Sequence, residues 1–373
     1  MLDTSIHGGH EIPLAGDDWP AAGGGPISVV TGGCGFIGQH LVRLLLDRGH
    51  AVRIIDRYAC PDYDRRATLY HGSILDAQLV GAALDGADYL FHLAANPNLW
   101  AADKGTFHTT NYTGTCTVFD AAARSRLRRI VYCSTESILK GVRNGYPGLA
   151  NESVRRTVAD MPGDYCRSKF LAEREAMMAA DRGLPVVIVN PTLPIGPGDR
   201  RLTPPTRMLL DFLNGDNPAY LDFEMNMIDV RDVAAGHLLA AERGKIGERY
   251  ILGGENLRLS QVLDMLEDLS GLRMPRLRVP YLVALAVAFC SELVADHLTH
   301  RQPKASLAGV RLAGTSMTFD CTRAQRELGL RPRPVRSSLA AAIAWLQREG
   351  RLHQSLQREP LEGLRAAEAG VSV

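Results

Sequence analysis

Thr31-Gly32-Gly33-Cys34-Gly35-Phe36-Ile37-Gly38 follows a β-branched run, 27–31, and opens a segment, 36–48, in which Ile37, Leu41, Leu44 and Leu45 share one helical face. Gly49 supplies the stop. Strand, glycine-rich turn and helix, in that order, is what a phosphate cradle requires. Gly32 and Gly35 let the backbone turn tightly and approach a pyrophosphate, Gly38 lets the helix pack on the sheet, and the helix N-terminus favours an anion. Phe36 and Ile37, at the helix start, fall within the same contact zone.

The alternation continues outward from this turn. Residues 51–55, 89–93, 129–133 and 185–190 are short and apolar on both faces, as strands covered by helices on both sides must be. Segments 112–123 and 164–180 read as helices filling two of the crossovers. The fold class is therefore α/β: a Rossmann-type doubly wound parallel sheet. After Asn190 the texture changes, with Pro191, Pro194, Pro197, Pro204 and Pro205 excluding a long helix or a central strand. Strand-like 249–252, a helix near 260–269 and the apolar segment 279–294 then make a smaller mixed α/β cap, and a last helix spans about 337–349. The expected organisation is a flexible tail at 1–26, a dinucleotide-binding domain at 27–190, and a substrate-binding cap at 191–350, partly interleaved with it. A poorly ordered C-terminal tail at 351–373 completes the chain.

The chain has 373 residues, long enough for a sizeable core. Lys+Arg 42 against Asp+Glu 41 leaves a formal charge of +1, and both signs are spread along the chain, so no footprint for nucleic acid or an anionic membrane is visible. A small-molecule partner is the expectation. The 7 cysteines include no C-x-x-C pair, and several lie in apolar runs, where a free thiol acts as a small hydrophobe; this suits a reducing cytoplasm, and no metal site is expected. The N-terminal stretch carries acids, Gly and Pro where a signal peptide has a basic and then an apolar region. The longest apolar run, 281–290, is short of the roughly 20 residues that span a bilayer, and reads as a buried helix or a greasy surface.

Asp56 stands about 20 residues beyond the glycines, where a carboxylate takes both hydroxyls of an adenine ribose; this favours NAD. Arg57, next to it, suits a 2′-phosphate, so NADP stays open. Asp76 borders the adenine or is a solvated loop acid. Tyr165 and Lys169 sit one helical turn apart on the same face. A free tyrosine has a pKa near 10, and nearby positive charge from Lys169 and an oxidised nicotinamide lowers it, so that Tyr165 exchanges a proton with a substrate hydroxyl while hydride moves. Ser134 and Thr135 follow the strand 129–133, at the strand ends that face the ligand crevice, where a hydroxyl holds the substrate oxygen against the phenol.

The T-G-x-x-G-x-x-G run, His92-Leu93-Ala94-Ala95, Asn111 before Gly114-Thr115, the Ser134-Thr135 pair and Tyr165-x-x-x-Lys169 occur in an order that resembles the extended short-chain dehydrogenases/reductases, the NAD-dependent epimerase/dehydratase family. The resemblance covers about residues 27–350. Within it the chain looks most like the hopanoid-associated sugar epimerase group, near dihydroflavonol 4-reductases and 3β-hydroxysteroid dehydrogenases, through 94–101, 168–175, 187–199, 229–237, 250–256 and 326–329. The resemblance implies Thr135 as catalytic hydroxyl, with Ser134 as fallback, and Asn111 as the prop of the active-site lysine through water. It implies His92 and Ala94 along the dinucleotide, and Pro191 and Leu193 beside the nicotinamide. It also implies a homodimer pairing the helices near 111–124 and 165–180.

Two departures bear on the chemistry. The related sugar-nucleotide 4,6-dehydratases carry Thr-Asp-Glu where this chain reads Thr135-Glu136-Ser137, so their acid/base pair is incomplete here. UDP-hexose epimerases place a diphosphate-binding arginine where Met225 stands, which argues for a less charged substrate. The expectation is an NAD(P)-dependent oxidoreductase acting on a secondary alcohol or ketone of an apolar, isoprenoid- or sterol-like, or sugar substrate. A nucleotide-sugar epimerase is the alternative, ahead of a 4,6-dehydratase or a non-catalytic dinucleotide-binding protein.

Overall fold

In the computed structural model, which describes residues 25–58, 63–140, 149–315, 318–358 and 360, alternate residues of each central strand feed two separate cores. The strands are β1 (Ile27–Thr31), β2 (Ala51–Asp56), β3 (Thr68–His71), β4 (Tyr89–His92), β5 (Arg129–Cys133), β6 (Val186–Pro191), β7 (Leu193–Ile195), β8 (Ala219–Tyr220), β9 (Glu224–Asp229), β10 (Arg249–Leu252), β11 (Glu255–Arg258) and β12 (Leu277–Arg278). The helices are α1 (Phe36–Asp47), α2 (Ala77–Leu84), α3 (Gly105–Phe107), α4 (Gly114–Ala122), α5 (Asp164–Asp181), α6 (Pro204–Leu213), α7 (Val230–Arg243), α8 (Leu259–Ser270), α9 (Tyr281–Val294), α10 (Leu307–Ala313) and α11 (Val335–Arg348).

Seven parallel strands lie in the order β10-β6-β5-β4-β1-β2-β3, the doubly wound sheet read from the sequence. Val30, Ile54, Phe91 and Val131 face α1 and α7, while Val29, Ile55, Leu90 and Ile130 face α2, α4 and α5. This is the period of two that a strand buried on both sides shows. The α5 residues in this core, Ala172, Ala176 and Ala179, are all small, so α5 and its Tyr165 come close to the sheet.

A third core, with Leu209, Phe212, Leu263, Leu266, Leu339 and Ile343, joins α6, α8 and α11 to the β11-β9-β7 sheet. Pro204 and Pro205 open α6, where a missing N–H costs nothing.

Four features differ from the sequence reading. β3 went unread because it is a short, half-exposed edge strand with no apolar run, held by its pairing to β2. Residues 249–252, assigned to the cap, form β10, the outer strand of the main sheet beside β6. Residues 351–358 are not loose: the Gln357 N–H donates to Ser270 O and the His353 N–H to Asn214 Oδ1, each at 2.9 Å. Cys34, which lies in the glycine loop and in no apolar run, is disulfide-bonded, which the reading of the cysteines as suited to a reducing compartment did not foresee; Cys116, Cys133, Cys166, Cys290 and Cys321 are free. The expected tails at 1–24 and 361–373 lie outside the described residues.

Candidate active site

β1 delivers the chain to the turn at the centre of the sheet, where its neighbours β2 and β4 diverge in sequence order and leave a crevice at the strand ends. Thr31 Oγ1 accepts from the N–H groups of Leu93 and Ala94 (3.2 and 3.1 Å), tying the turn to the end of β4. Gly32 has φ +71°, and a Cβ there would lie 2.8 Å from the Ala94 nitrogen. A Cβ on Gly38 would lie 2.1 Å from the Gly32 oxygen, so helix and turn meet at backbone distance. Gly35 caps α1 without a side-chain hydrogen bond and no acid occupies the first turn, which leaves the positive helix end to a ligand anion.

These residues fit a dinucleotide. Asp56, at the end of β2, holds the turn by accepting from Cys34 N–H (3.1 Å) and Tyr58 N–H (3.0 Å), and it faces the same cavity. Arg57 lies beside it, donating to the Tyr58 hydroxyl at 3.0 Å. Ser134 Oγ, on the cavity wall, is buried and has no hydrogen-bond partner among the described residues.

The same cavity is lined by the candidate proton-transfer groups. β5 ends at Cys133, and Thr135 caps the 3₁₀ turn Glu136–Ile138, its Oγ1 accepting from Ser137 N–H at 3.2 Å and donating to Glu136 Oε2 at 2.9 Å. Glu136 is buried with no cation among its named partners, and desolvation raises its carboxyl to about 7. Desolvation likewise pushes the Tyr165 phenol well above 10, partly offset by hydrogen bonding to the Thr135 side chain. Tyr165 is therefore a neutral donor here. Lys169 Nζ donates to Cys133 O (2.7 Å) and to the Tyr132 hydroxyl (3.0 Å), and burial lowers it to about 8. Burial and the Thr135 hydrogen bond lead the influences of the surrounding protein on Tyr165.

Thr135 is fixed from behind by a network the sequence reading missed. Asn190 Nδ2 donates to Thr135 O (3.0 Å) and to Glu173 Oε2 (2.7 Å), and Glu173 Oε1 pairs with Arg249 Nη1 at 2.9 Å. Arg249 also donates to the carbonyls of Glu152 and Val154. Its only sequence signal is Glu173, one helical turn beyond Lys169 in an otherwise alanine-faced helix.

Gly32, Gly35, Phe36, Ile37, Gly38, Asp56, Arg57, Ala94, Thr135, Tyr165, Lys169, Pro191 and Leu193 line one cavity of about 1060 Å³. Three sequence candidates are not on its wall. His92 is a core histidine, Nδ1 paired with Thr31 Oγ1 (2.7 Å) and Nε2 with Thr115 Oγ1 (3.0 Å), with burial lowering it to about 3. Asp76 caps α2, accepting from Gln78 and Leu79 N–H. Asn111, in the π turn His108–Thr113, directs its side-chain amide to Asn96 and to Ser168 Oγ, so it ties the 94–98 loop to α5. Met225 also turns away, into the third core. Leu99, Met208, Phe212, Tyr220, Phe223 and Leu312 line the cavity as well. The amphipathic pattern of 204–213 was the available signal for Met208 and Phe212.

Residues 28–253 match the NAD dependent epimerase/dehydratase family. The chain belongs to that family. It is 39% identical to a putative dihydroflavonol 4-reductase of Synechocystis sp., covering 86% of this chain and 94% of that one. It is 33% identical to sterol demethylase protein B of Methylococcus capsulatus, covering 87% of this chain and 99% of that one. Among solved structures it resembles MoeE5 in complex with UDP-glucuronic acid and NAD, with a TM-score of 0.69 and 26% identity over 87% of this chain and 100% of that one. Membership makes the protein an NAD(P)-dependent enzyme, with NAD the cofactor of the cradle.

Proposed function

We propose that this family member is an oxidoreductase acting at a secondary alcohol or ketone carbon of an apolar, isoprenoid- or sterol-like ring substrate. The observation that carries this is the cavity itself: its lining joins the glycine cradle, Thr135 and Tyr165 to the apolar side chains of Leu99, Met208, Phe212, Phe223 and Leu312. A bound nicotinamide would supply the redox partner: oxidised, it would accept hydride from an alcohol carbon, and reduced, it would donate hydride to a ketone carbon. Thr135 then polarises the substrate oxygen and Tyr165 exchanges its proton, as a phenol neutral at rest suits for ketone reduction. Lys169 holds the β5 backbone under Thr135 and sets the local charge. The name of the Methylococcus relative supports a sterol-like substrate.

A second reading, epimerisation of a nucleotide sugar, is favoured by Arg200 and Arg201 on the same cavity wall and by the ligand named with the MoeE5 structure. The test is nicotinamide absorbance with 3-hydroxysterols and hopanoid alcohols against UDP-hexoses, on wild type and Tyr165→Phe. Turnover of the sterols, lost by about 10² or more in the variant while cofactor still binds, is the expected result. Deuterium at C4 of a UDP-hexose, returned internally without net redox, would establish the epimerase instead.

A homodimer through the outer faces of α4 and α5, where Met178 is 40% exposed, and a cytoplasmic site suited to the free thiols complete the proposal. Light scattering of the purified chain tests the first.

A further inference from the structure

α9 runs without a break through the π turn Ala295–Thr299, giving 19 residues of mean hydropathy 1.6 of which little is buried. By length and composition this helix is sufficient to cross a membrane, which the sequence reading of 281–290 did not anticipate. Its side chains are distributed inside out for a water-soluble surface. Leu282, Ala286, Phe289 and Leu293 fall along one line of the helix, and Val283, Val287, Cys290 and Val294 along the next, so half the circumference is apolar and uncharged. All eight are exposed, Leu282 at 74% and Phe289 at 57%, with Leu298 at 76% beyond them.

The polar side chains point the other way and hold the helix down. Glu292, the only charged residue of α9, accepts from Leu307 N–H at 2.7 Å and pairs with Lys104. Asp296 accepts from Trp100 Nε1 (2.8 Å) and Lys104 Nζ (2.6 Å). At the other end the Tyr281 ring covers Gly314, where a Cβ would meet it at 2.4 Å. A helix tied to the body at three points along one side lies on a surface and does not cross it.

We propose that α9 and the turn after it dock the protein on an anionic lipid surface, with the apolar arc embedded among the acyl chains. Charge selects this occupant. His297, His300, Arg301 and Lys304 are exposed at one end, and Arg301 and Lys304 hold no ion pair among the described residues. Arg276 and Arg278 flank the exposed Leu277 at the other end, each paired with acids of neighbouring elements. A second copy packed α9 on α9 in parallel sets Arg301 and Lys304 against themselves, and the exposed apolar arc carries no acid to meet them, whereas lipid phosphates do. α10 carries the contact inward: it packs on α9 and its Val310, Leu312 and Ala313 line the cavity, so the lipid face and the cavity share one helix. The contact does not depend on the reaction proposed above.

Flotation of the full chain with phosphatidylcholine vesicles, with and without phosphatidylglycerol, tests it without any activity readout. Wild type is expected to float with the mixed vesicles, Phe289→Glu/Leu293→Glu to lose at least about tenfold in partitioning, and Arg301→Glu/Lys304→Glu to lose binding on the anionic vesicles only. Retained NAD binding shows that the variants are folded. Independently, the fluorescence of Leu282→Trp is expected to shift to the blue when mixed vesicles are added. Wild type left at the bottom of the gradient, no shift from the added tryptophan, or a dimer that the Phe289→Glu/Leu293→Glu change converts to monomer without vesicle binding, overturns the proposal.

Discussion

Thr135 Oγ1 donates to Glu136 Oε2 at 2.9 Å, placing a carboxyl with no cation among its named partners beside the hydroxyl that hydrogen-bonds the Tyr165 phenol. The protonation of Glu136 is thereby coupled to folding. Its value is raised from 4.5 to about 7 by burial, so between those limits the folded chain keeps a proton that the unfolded chain loses, and stability falls as pH rises. Above about pH 7 the Glu136→Gln variant is expected to be the more stable protein, by up to about 3 kcal/mol, and below about pH 4.5 to match wild type. Urea midpoints of both proteins across this range check the sign; parallel curves would remove the assigned burial.

A glycine of the turn and a glycine of α2 differ in whether they can accept a methyl group. Gly38→Ala pushes a Cβ into backbone at 2.1 Å and is expected to cost about 1–3 kcal/mol and to weaken NAD binding at least about tenfold. Gly81→Ala, in α2 with nothing within 4 Å, is expected to gain about 0.5–1 kcal/mol and leave binding unchanged. Melting curves and calorimetric titration with NAD compare the two.

Asp56 sets the dinucleotide preference by charge. Its carboxylate repels a 2′-phosphate while offering acceptors to a ribose diol, so wild type is expected to prefer NAD over NADP. Asp56→Ser, which keeps one acceptor for the turn, is expected to reduce that ratio by about tenfold or more. Dissociation constants for both dinucleotides on both proteins are the measurement.

Arg249→Met leaves Glu173 buried beside Asn190 with its charge unmatched, and removes two donors from the carbonyls of Glu152 and Val154. The expected loss is about 3–5 kcal/mol, of which Glu173→Gln in the same chain restores part. Denaturant midpoints of the two singles and the double variant test the coupling.

What the sequence made legible was local. The turn 31–38 carries its own constraints, and strands apolar on both faces, such as 129–133, announce a covered parallel sheet. β3 and β10 were missed or misplaced because their identity lies in partners: Thr68–His71 is a strand only beside β2, and Arg249–Leu252 belongs to the main sheet only because β6 leaves an edge there. The same distinction divides the site. Thr135, Tyr165 and Lys169 follow one strand and one helix. His92, Asp76 and Asn111 carry plausible chemistry at plausible positions but lie off the cavity lining: His92 bonds Thr31 and Thr115, Asp76 Oδ1 caps α2, and the Asn111 amide links Asn96 to Ser168. No local pattern records how a side chain's bonding capacity has been used.

The line of contacts from Thr135 through Asn190 and Glu173 to Arg249 means that the Thr135 loop is held by a strand that the chain reaches only after the smaller sheets have begun to form. A fragment ending near Asn190 would keep every glycine of the turn yet bare the edge of β6 and lose the cation that steadies the loop. Nucleotide pocket and reactive centre are thus inseparable by truncation, and the order of synthesis places completion of the active site after Arg249 has emerged.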